Sequence, residues 1–323
     1  METDPAPTPS TPDRKAFWWG PILLGLTYGL VARFLFGFEP LEFAMAVMTL
    51  SFIILVPGVI GALTVLWWQP EPRWWLALFL PWVPSLLLLA TTFALLWEGL
   101  ICIVVWLPMA LLCASIGGVI GKLLRRSSRG PATLVLAALP IVVAPIETQF
   151  EDPVHVRTVH DAIVIEADAA DVWEEIREVP PIRPEELGDS FAYRIGFPRP
   201  IEARLEGEGV GSVRYATFEG GVTFIERVTE WEEDESLAFT IDASAVPSTT
   251  FDEHVAVGGR YFDVLNGRYE IEPVAPGRVV LHLTSEQRLG TRFNGYTQLW
   301  TDRFMGDIQE TILEVVKARA EAR

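Results

Sequence analysis

Five apolar stretches, each close to the thickness of a bilayer's hydrocarbon core, fill the first half of the chain at 17–38, 43–68, 74–97, 100–123 and 132–148. A helix rises 1.5 Å per residue, so about 20 residues cross that core. The first four stretches meet this length. The fifth is short and interrupted by Pro140 and Pro145, and reaches it only with help from Thr148, Gln149 and Phe150. Such a chain is predicted to form a transmembrane bundle of about five segments over 16–150. Residues 1–15, METDPAPTPSTPDRK, are Pro/Thr-rich and acidic, unlike the basic opening of a cleaved signal peptide, and are predicted to be a disordered tail.

Lys and Arg are retained on the cytoplasmic side of a membrane. Arg14 and Lys15 precede the first stretch, Arg73 lies between the second and third, and Lys122, Arg125, Arg126 and Arg129 follow the fourth. The other two turns carry Glu39, Glu42 and Glu98 and no base, with Arg33 approaching the first from inside its stretch. This bias predicts a multi-pass membrane protein with a cytoplasmic N-terminus. If the fifth stretch spans, residues 151–323 are extracytoplasmic, the reading the pattern favours; if it is re-entrant or interfacial, they are cytoplasmic. No acid or base falls at midplane depth, where a conduction or coupling path would show itself. The prolines and Gly117, Gly118 and Gly121 therefore read as kinks and close helix packing, with broken helices around a substrate as the other reading.

The charge lies elsewhere. Residues 1–150 hold eight acids and eight Lys/Arg, whereas residues 151–323 hold 34 acids against 17 bases and so carry the whole net charge of -17. An acidic domain of this kind lacks the basic footprint that nucleic acid requires, and does not lie flat on anionic lipid by general electrostatics. The two cysteines, Cys102 and Cys113, both sit in the fourth apolar stretch, so no disulfide framework or cysteine metal site exists. The four histidines are scattered without ligand spacing, and neither a metal nor a cofactor is expected.

Beyond 150 the period changes. VHDAIVIEAD (159–168) alternates and is β-branched, as a strand is; Asp168 is placed to cap the short helix AADVWEEI, with Trp173 beside its apolar face. The proline-rich 179–187 reads as a turn. Strands are predicted at 201–208, 211–218, 221–231, 236–243, 259–266, 267–274 and 278–289, followed by one long amphipathic helix from Asn294 to Ala320 whose face is Trp300, Phe304, Ile308, Ile312 and Val315/Val316. A bent antiparallel sheet must cover its concave apolar face, and one long helix across it leaves space for a pocket.

Four stretches carry a resemblance: HDAIVIEADAADVWEEI (160–176), GVGSVRYATFEGG (209–221), FIERVTEWEEDESLAFTI (224–241) and WTDRFMGDIQETILEVV (300–316). Residues 151–323 resemble the START-like, polyketide-cyclase and lipid-transport (SRPBCC) superfamily. The whole chain also resembles a bacterial multi-pass membrane group in which a span carries WEGLICIVVWLPMALL, which implies a place in a bacterial inner membrane. The resemblance implies a helix-grip fold, α+β with a curved antiparallel sheet under a long C-terminal helix, and an apolar cavity beneath that helix. It transfers no catalytic residue, because members with this fold differ in activity.

Candidate cavity residues follow from chemistry and strand phase. Phe224, Glu226 and Val228 share one face of their strand, so Glu226 can point inward, where a carboxylate needs a partner. Arg214 on the adjacent strand is one candidate partner, and His282, Glu286 and Arg288 are others. These groups admit two readings: an internal ion pair fixing strand register, or a polar cluster that orients a ligand or moves a proton. His254 near Tyr261, beside Gly258-Gly259, is read either as part of a mouth loop or as ordinary surface. Asn294, Tyr296 and Trp300 open the last helix, lining an entrance or packing on the sheet, and Trp173 completes the set.

Three functions fit. The pattern favours a membrane-anchored module holding a lipid or other apolar small molecule. The alternatives are a cyclase- or hydrolase-like enzyme on an apolar substrate, or an envelope protein that docks a protein partner.

Overall fold

A computed structural model describes residues 19–126, 129–244 and 256–323, and the chain divides into two units. The first runs to Leu95 and resumes over Trp106–Phe150; the second comprises Leu96–Val105 and Glu151–Arg323.

The first unit is helical. Its elements are α1 (Trp19–Phe36), a π-helical turn at Ser51–Leu55 running into α2 (Val56–Trp67), α3 (Trp74–Phe79), α4 (Trp82–Ala94), α5 (Leu100–Leu124, from Trp106 onward) and α6 (Arg129–Glu147). Among the described residues four helices are long and apolar enough to cross a membrane: Trp19–Phe36, Trp74–Ala94, Leu100–Leu124 and Arg129–Glu147. The segment expected over 43–68 is helical only over Ser51–Trp67. Its start is fixed by Glu147, whose carboxylate accepts from Leu50 N (2.6 Å), Ser51 N (2.9 Å) and Ser51 Oγ (2.7 Å). A helix start exposes unpaired N–H groups and a partial positive charge, which a carboxylate satisfies together. The other end is closed by Arg125, whose Nη1 donates to the carbonyls of Val65 (2.8 Å), Leu66 (3.3 Å) and Trp68 (2.6 Å). Between these caps the helix carries the most buried residues of the unit, including Val56, Val65 and Leu66 at 0% exposure.

The glycines of this unit lie where backbones meet. A Cβ on Gly117 would overlap the Gly58 carbonyl, one on Gly121 the Ala62 carbonyl, and one on Gly61 the Ala114 carbonyl. Small residues at such positions let two apolar helices approach until their backbones touch.

The second unit is a seven-stranded antiparallel sheet in the order β1-β7-β6-β5-β4-β3-β2, with one long helix. The strands are β1 (His155–Ile165), β2 (Pro200–Glu206), β3 (Val213–Phe218), β4 (Val222–Glu232), β5 (Ser236–Asp242), β6 (Phe262–Ala275) and β7 (Arg278–Leu289). Between β1 and β2 lie α7 (Ala169–Arg177) and the single turn α8 (Phe191–Arg194), and α9 (Asn294–Ala320) closes the chain. This curved sheet with a long C-terminal helix is the helix-grip arrangement.

Two expectations change. The strands predicted at 259–266 and 267–274 are one strand, because Gly267 sits inside β6 rather than ending it. A Cβ there would lie 2.8 Å from Phe239 Cε2, so glycine makes room for the neighbouring strand's ring. Asp168 does occupy the N-cap position of α7, yet its side chain makes no cap bond and instead accepts from Gly277 N in the β6–β7 turn at 3.1 Å.

α9 is held along its length. Asp302 takes a forked pair of bonds from Arg157 of β1 (2.7 and 2.8 Å). Asp307 accepts from Ser190 Oγ and from Ala192 N at the start of α8, and Arg319 holds Glu186 (2.9 Å), whose carboxyl it pulls down to about 2. Leu313, Val316 and Ala320 pack into the main core with Ile165, Trp173, Ile176, Leu237 and Leu281.

If backbone contact sets the helix spacing in the first unit, Gly117→Val should lower the thermal midpoint of the full chain in mild detergent by about 5 °C or more, since overpacking costs roughly 1–3 kcal/mol. Gly20→Val, with no heavy atom within 4 Å of its added Cβ, should leave the midpoint unchanged in the same scanning calorimetry.

Candidate functional site

A cavity of about 180 Å³ lies inside the second unit, between the concave face of the sheet and α9. Its walls come from every strand except β1. They include Ala216 and Phe218 of β3, Phe224 of β4, Phe239 and Ile241 of β5, Phe262, Val264 and Tyr269 of β6, and Leu283 of β7. Met305, Ile308, Gln309 and Ile312 of α9 form the roof, and Val179, Ile182, Phe197 and Pro198 close the side before β2. α9 thus grips the sheet through its C-terminal half while its middle stands over open space.

At one wall Arg214 of β3 and Glu226 of β4 face each other in register. Arg214 Nε donates to Glu226 Oε2 at 2.5 Å, and the two residues are 4% and 5% exposed. Arg214 Nη1 donates to the Ile176 carbonyl in the last turn of α7 (2.6 Å), where a cation also complements the helix terminus. Its guanidinium lies over the Phe239 ring at 4.5 Å and the Tyr269 ring at 5.9 Å. Burial pushes the Glu226 carboxyl above the usual carboxylate range, and the Arg214 charge beside it opposes that rise. Burial likewise raises the Tyr269 hydroxyl. The register-fixing reading of this pair therefore describes its geometry, and both residues also line the cavity.

A second polar group is centred on Ser285. Ser285 of β7 accepts from Gln287 Nε2 (2.6 Å) and from Gln309 Nε2 of α9 (2.5 Å), and all three residues are buried. Ser285 and Gln309 line the cavity, and the Oε1 atoms of Gln287 and Gln309 have no hydrogen-bond partner among the described residues. The signal was present in the strand pattern: Leu281, Leu283 and Leu289 set the inward phase of β7, which makes Ser285 and Gln287 inward as well.

The same phase corrects three candidates. His282, Glu286 and Arg288 alternate with those leucines and lie on the outer face of the sheet. His282 bonds His160 (3.2 Å) and Glu272 (3.1 Å); Glu286 accepts from Asn266 (2.8 Å); Arg288 donates to the carbonyls of Gly259 (2.6 Å) and Arg260 (3.0 Å). None converges on the Arg214–Glu226 pair. Trp173 is a core residue, edge-on to Trp231 at 5.1 Å. Asn294 accepts from Thr291 (2.9 Å) and donates to the Pro153 carbonyl (2.7 Å), holding the turn into α9. Tyr296 donates to the Val105 carbonyl, within the same unit, at 2.5 Å, and Trp300 packs on Phe304 at 5.4 Å. Tyr261 lies under the Arg260 guanidinium at 5.3 Å. Of the twelve candidates, Arg214, Phe224 and Glu226 line the cavity, and His254 falls outside the described residues. Among the described residues no group of three or more His, Cys, Asp or Glu is arranged to hold a metal.

No protein-family model matches the chain, and comparison with curated proteins gives no match. Solved structures show a likeness over about half of it. The Zhui aromatase/cyclase from a Streptomyces species is 17% identical, covering 52% of this chain and 96% of its own, with a TM-score of 0.35. A START superfamily protein from Mycobacterium smegmatis is 14% identical over 51% of this chain and 97% of its own, at 0.34. Norcoclaurine synthase from Thalictrum flavum is 14% identical over 52% of this chain and 97% of its own, at 0.31.

Removing one member of a buried ion pair strands the other, at a cost of roughly 3–5 kcal/mol, whereas replacing both with apolar groups is often near neutral. Arg214→Met and Glu226→Leu should therefore each destabilise the chain strongly in denaturant titrations. The double variant should recover most of that loss. Additive losses would show that the pair is not coupled.

Proposed function

We propose that this chain is a membrane-anchored binding module that holds a lipid or other apolar small molecule in the cavity under α9. The observation that carries the reading is the cavity itself: a walled space whose lining is largely aliphatic and aromatic, with its buried guanidinium already matched to a carboxylate. The candidate acid–base groups do not converge there, since His282 and Glu286 lie on the other face of the sheet. That distribution favours holding a molecule over transforming it.

The membrane part rests on the first unit. Its helices turn Leu23, Val31, Phe34, Leu86, Leu112, Ile116, Leu134, Val135 and Val142 outward, the surface that acyl chains cover. α6 runs the full length of the Ser51–Trp67 helix: Thr133 near its start accepts from Trp67 Nε1 (2.9 Å), and Glu147 at its end caps Leu50 and Ser51. Lys122 and Arg125 meet Glu71 and Trp68 at the first of these ends. A fifth pass antiparallel to its neighbour supports the extracytoplasmic placement of the residues after 150, opposite the basic loops.

Two experiments test this. Full-length protein extracted in mild detergent should carry a co-purifying apolar molecule at near-stoichiometric occupancy in native mass spectrometry, and Ala216→Trp, which fills the cavity, should lower that occupancy. Reproducibly empty protein that takes up no apolar probe would sink the binding reading. For sidedness, alkaline phosphatase fused after Arg323 should be active in a bacterial host and the same enzyme fused after Arg126 inactive; the reverse pattern would place the domain in the cytoplasm.

A further inference from the structure

α9 roofs the cavity, and its two halves bury their apolar side chains in different places. The main core takes Ile312, Leu313, Val316 and Ala320 from it, all in the C-terminal half. The N-terminal half carries Tyr296, Trp300 and Phe304 at four-residue spacing, and the three rings contact one another in turn, at 6.5 and 5.4 Å. Phe304 is buried in a separate cluster with Ile101 and Ile195, against which Trp300, Val104 and Val105 also pack. Ile101, Val104 and Val105 come from the start of α5. The fourth apolar stretch reads as a span from Leu100, yet Leu96–Val105 belongs to the second unit. α5 has 25 residues where about 20 cross a bilayer, so about one turn is to spare. The Tyr296 hydroxyl donates to the Val105 carbonyl at 2.5 Å, so the two helices are bonded as well as packed. By contrast, the Asp302–Arg157 pair that ties the same half of α9 to β1 is 35% and 41% exposed, and exposed ion pairs contribute little.

This cluster meets the cavity through Phe197. Its ring packs on Phe304 with centroids 5.1 Å apart, and it lines the cavity, as does Met305, the neighbour of Phe304. A guest under a roof leaves only when the roof or a wall yields, and the apolar contacts that must break set the cost of such a local opening. Resting on the binding reading above, we infer that the first turns of α5 are a strap of the binding domain. Ile101, Val104 and Val105 hold the N-terminal half of the roof helix and back Phe197, and this hold sets how firmly a guest is retained.

The test uses the full chain in mild detergent. Amide exchange read by mass spectrometry reports local opening of α9. Fluorine NMR reports uptake and release of 1-fluoronaphthalene, with Ala216→Trp in the same micelles as the reference for partition into detergent. The double variant Ile101→Ala/Val104→Ala keeps α5 apolar and helical while removing the packing. It should speed exchange over 298–304 about tenfold or more, leave 313–320 unchanged, and release 1-fluoronaphthalene several-fold faster. Leu100→Ala, at a position 42% exposed and outside the cluster, should change neither. Unchanged exchange over 298–304 in the double variant would overturn the strap. Faster exchange there with an unchanged rate of release would overturn its part in retention. If no chain takes up more 1-fluoronaphthalene than Ala216→Trp does, the binding reading and the retention role fall together, and the exchange result alone decides the strap. Should the double variant fail to fold, Ile101→Val, one methylene smaller, should speed exchange over the same residues about threefold; no change there would count against the strap.

Discussion

A guanidinium in an apolar interior has to be matched on several sides, and Arg214 is matched by four elements at once. β4 supplies the carboxylate, α7 its terminal carbonyl, and β5 and β6 the ring faces of Phe239 and Tyr269. Slipping β3 by one residue against β4 would turn the arginine to the opposite face and leave Glu226 alone. The pair need not add net stability to do this; its effect is to make other registers costly. Because α7 is tied to the same group, the position of that helix against the sheet follows from the strand pairing.

The cavity survives for a related reason. α9 is fastened at several points, by Asp302 to Arg157, by Asp307 to Ser190 and Ala192, and by Arg319 to Glu186. Its C-terminal half is packed into the core through Leu313, Val316 and Ala320. A helix fixed in this way cannot settle onto the concave face, and the side chains between, Phe224, Phe239 and Ile308 among them, line the space rather than filling it.

Much of this was legible in the residues. The bounds of α9 follow from its three-and-four spacing, and β4's alternation put Phe224 and Glu226 on one inward face. Where reading by chemistry displaced reading by phase, it failed. His282, Glu286 and Arg288 attracted attention as titratable groups, but Leu281, Leu283 and Leu289 fix the parity of β7 and send all three outward, while the unremarkable Ser285 and Gln287 turn in. Gly267 misled differently: a glycine between two alternating runs reads as a break, and only the position of Phe239 on the next strand reveals that it is a clearance. Contacts from distant segments, such as Glu147 with Ser51 or Gln309 with Ser285, leave no local signature at all.

One device recurs in both units. Arg125 and Glu147 close the two ends of the Ser51–Trp67 helix, Arg214 closes α7, and Asp307 opens α8. In each case a charged side chain meets the unpaired groups of a helix terminus, where its charge and the helix's partial charge cancel. Charges committed in this way hold the fold. Beside the Arg214–Glu226 pair and Tyr269, the acidic, hydroxyl and amide side chains that line the cavity are Glu202, Ser285 and Gln309.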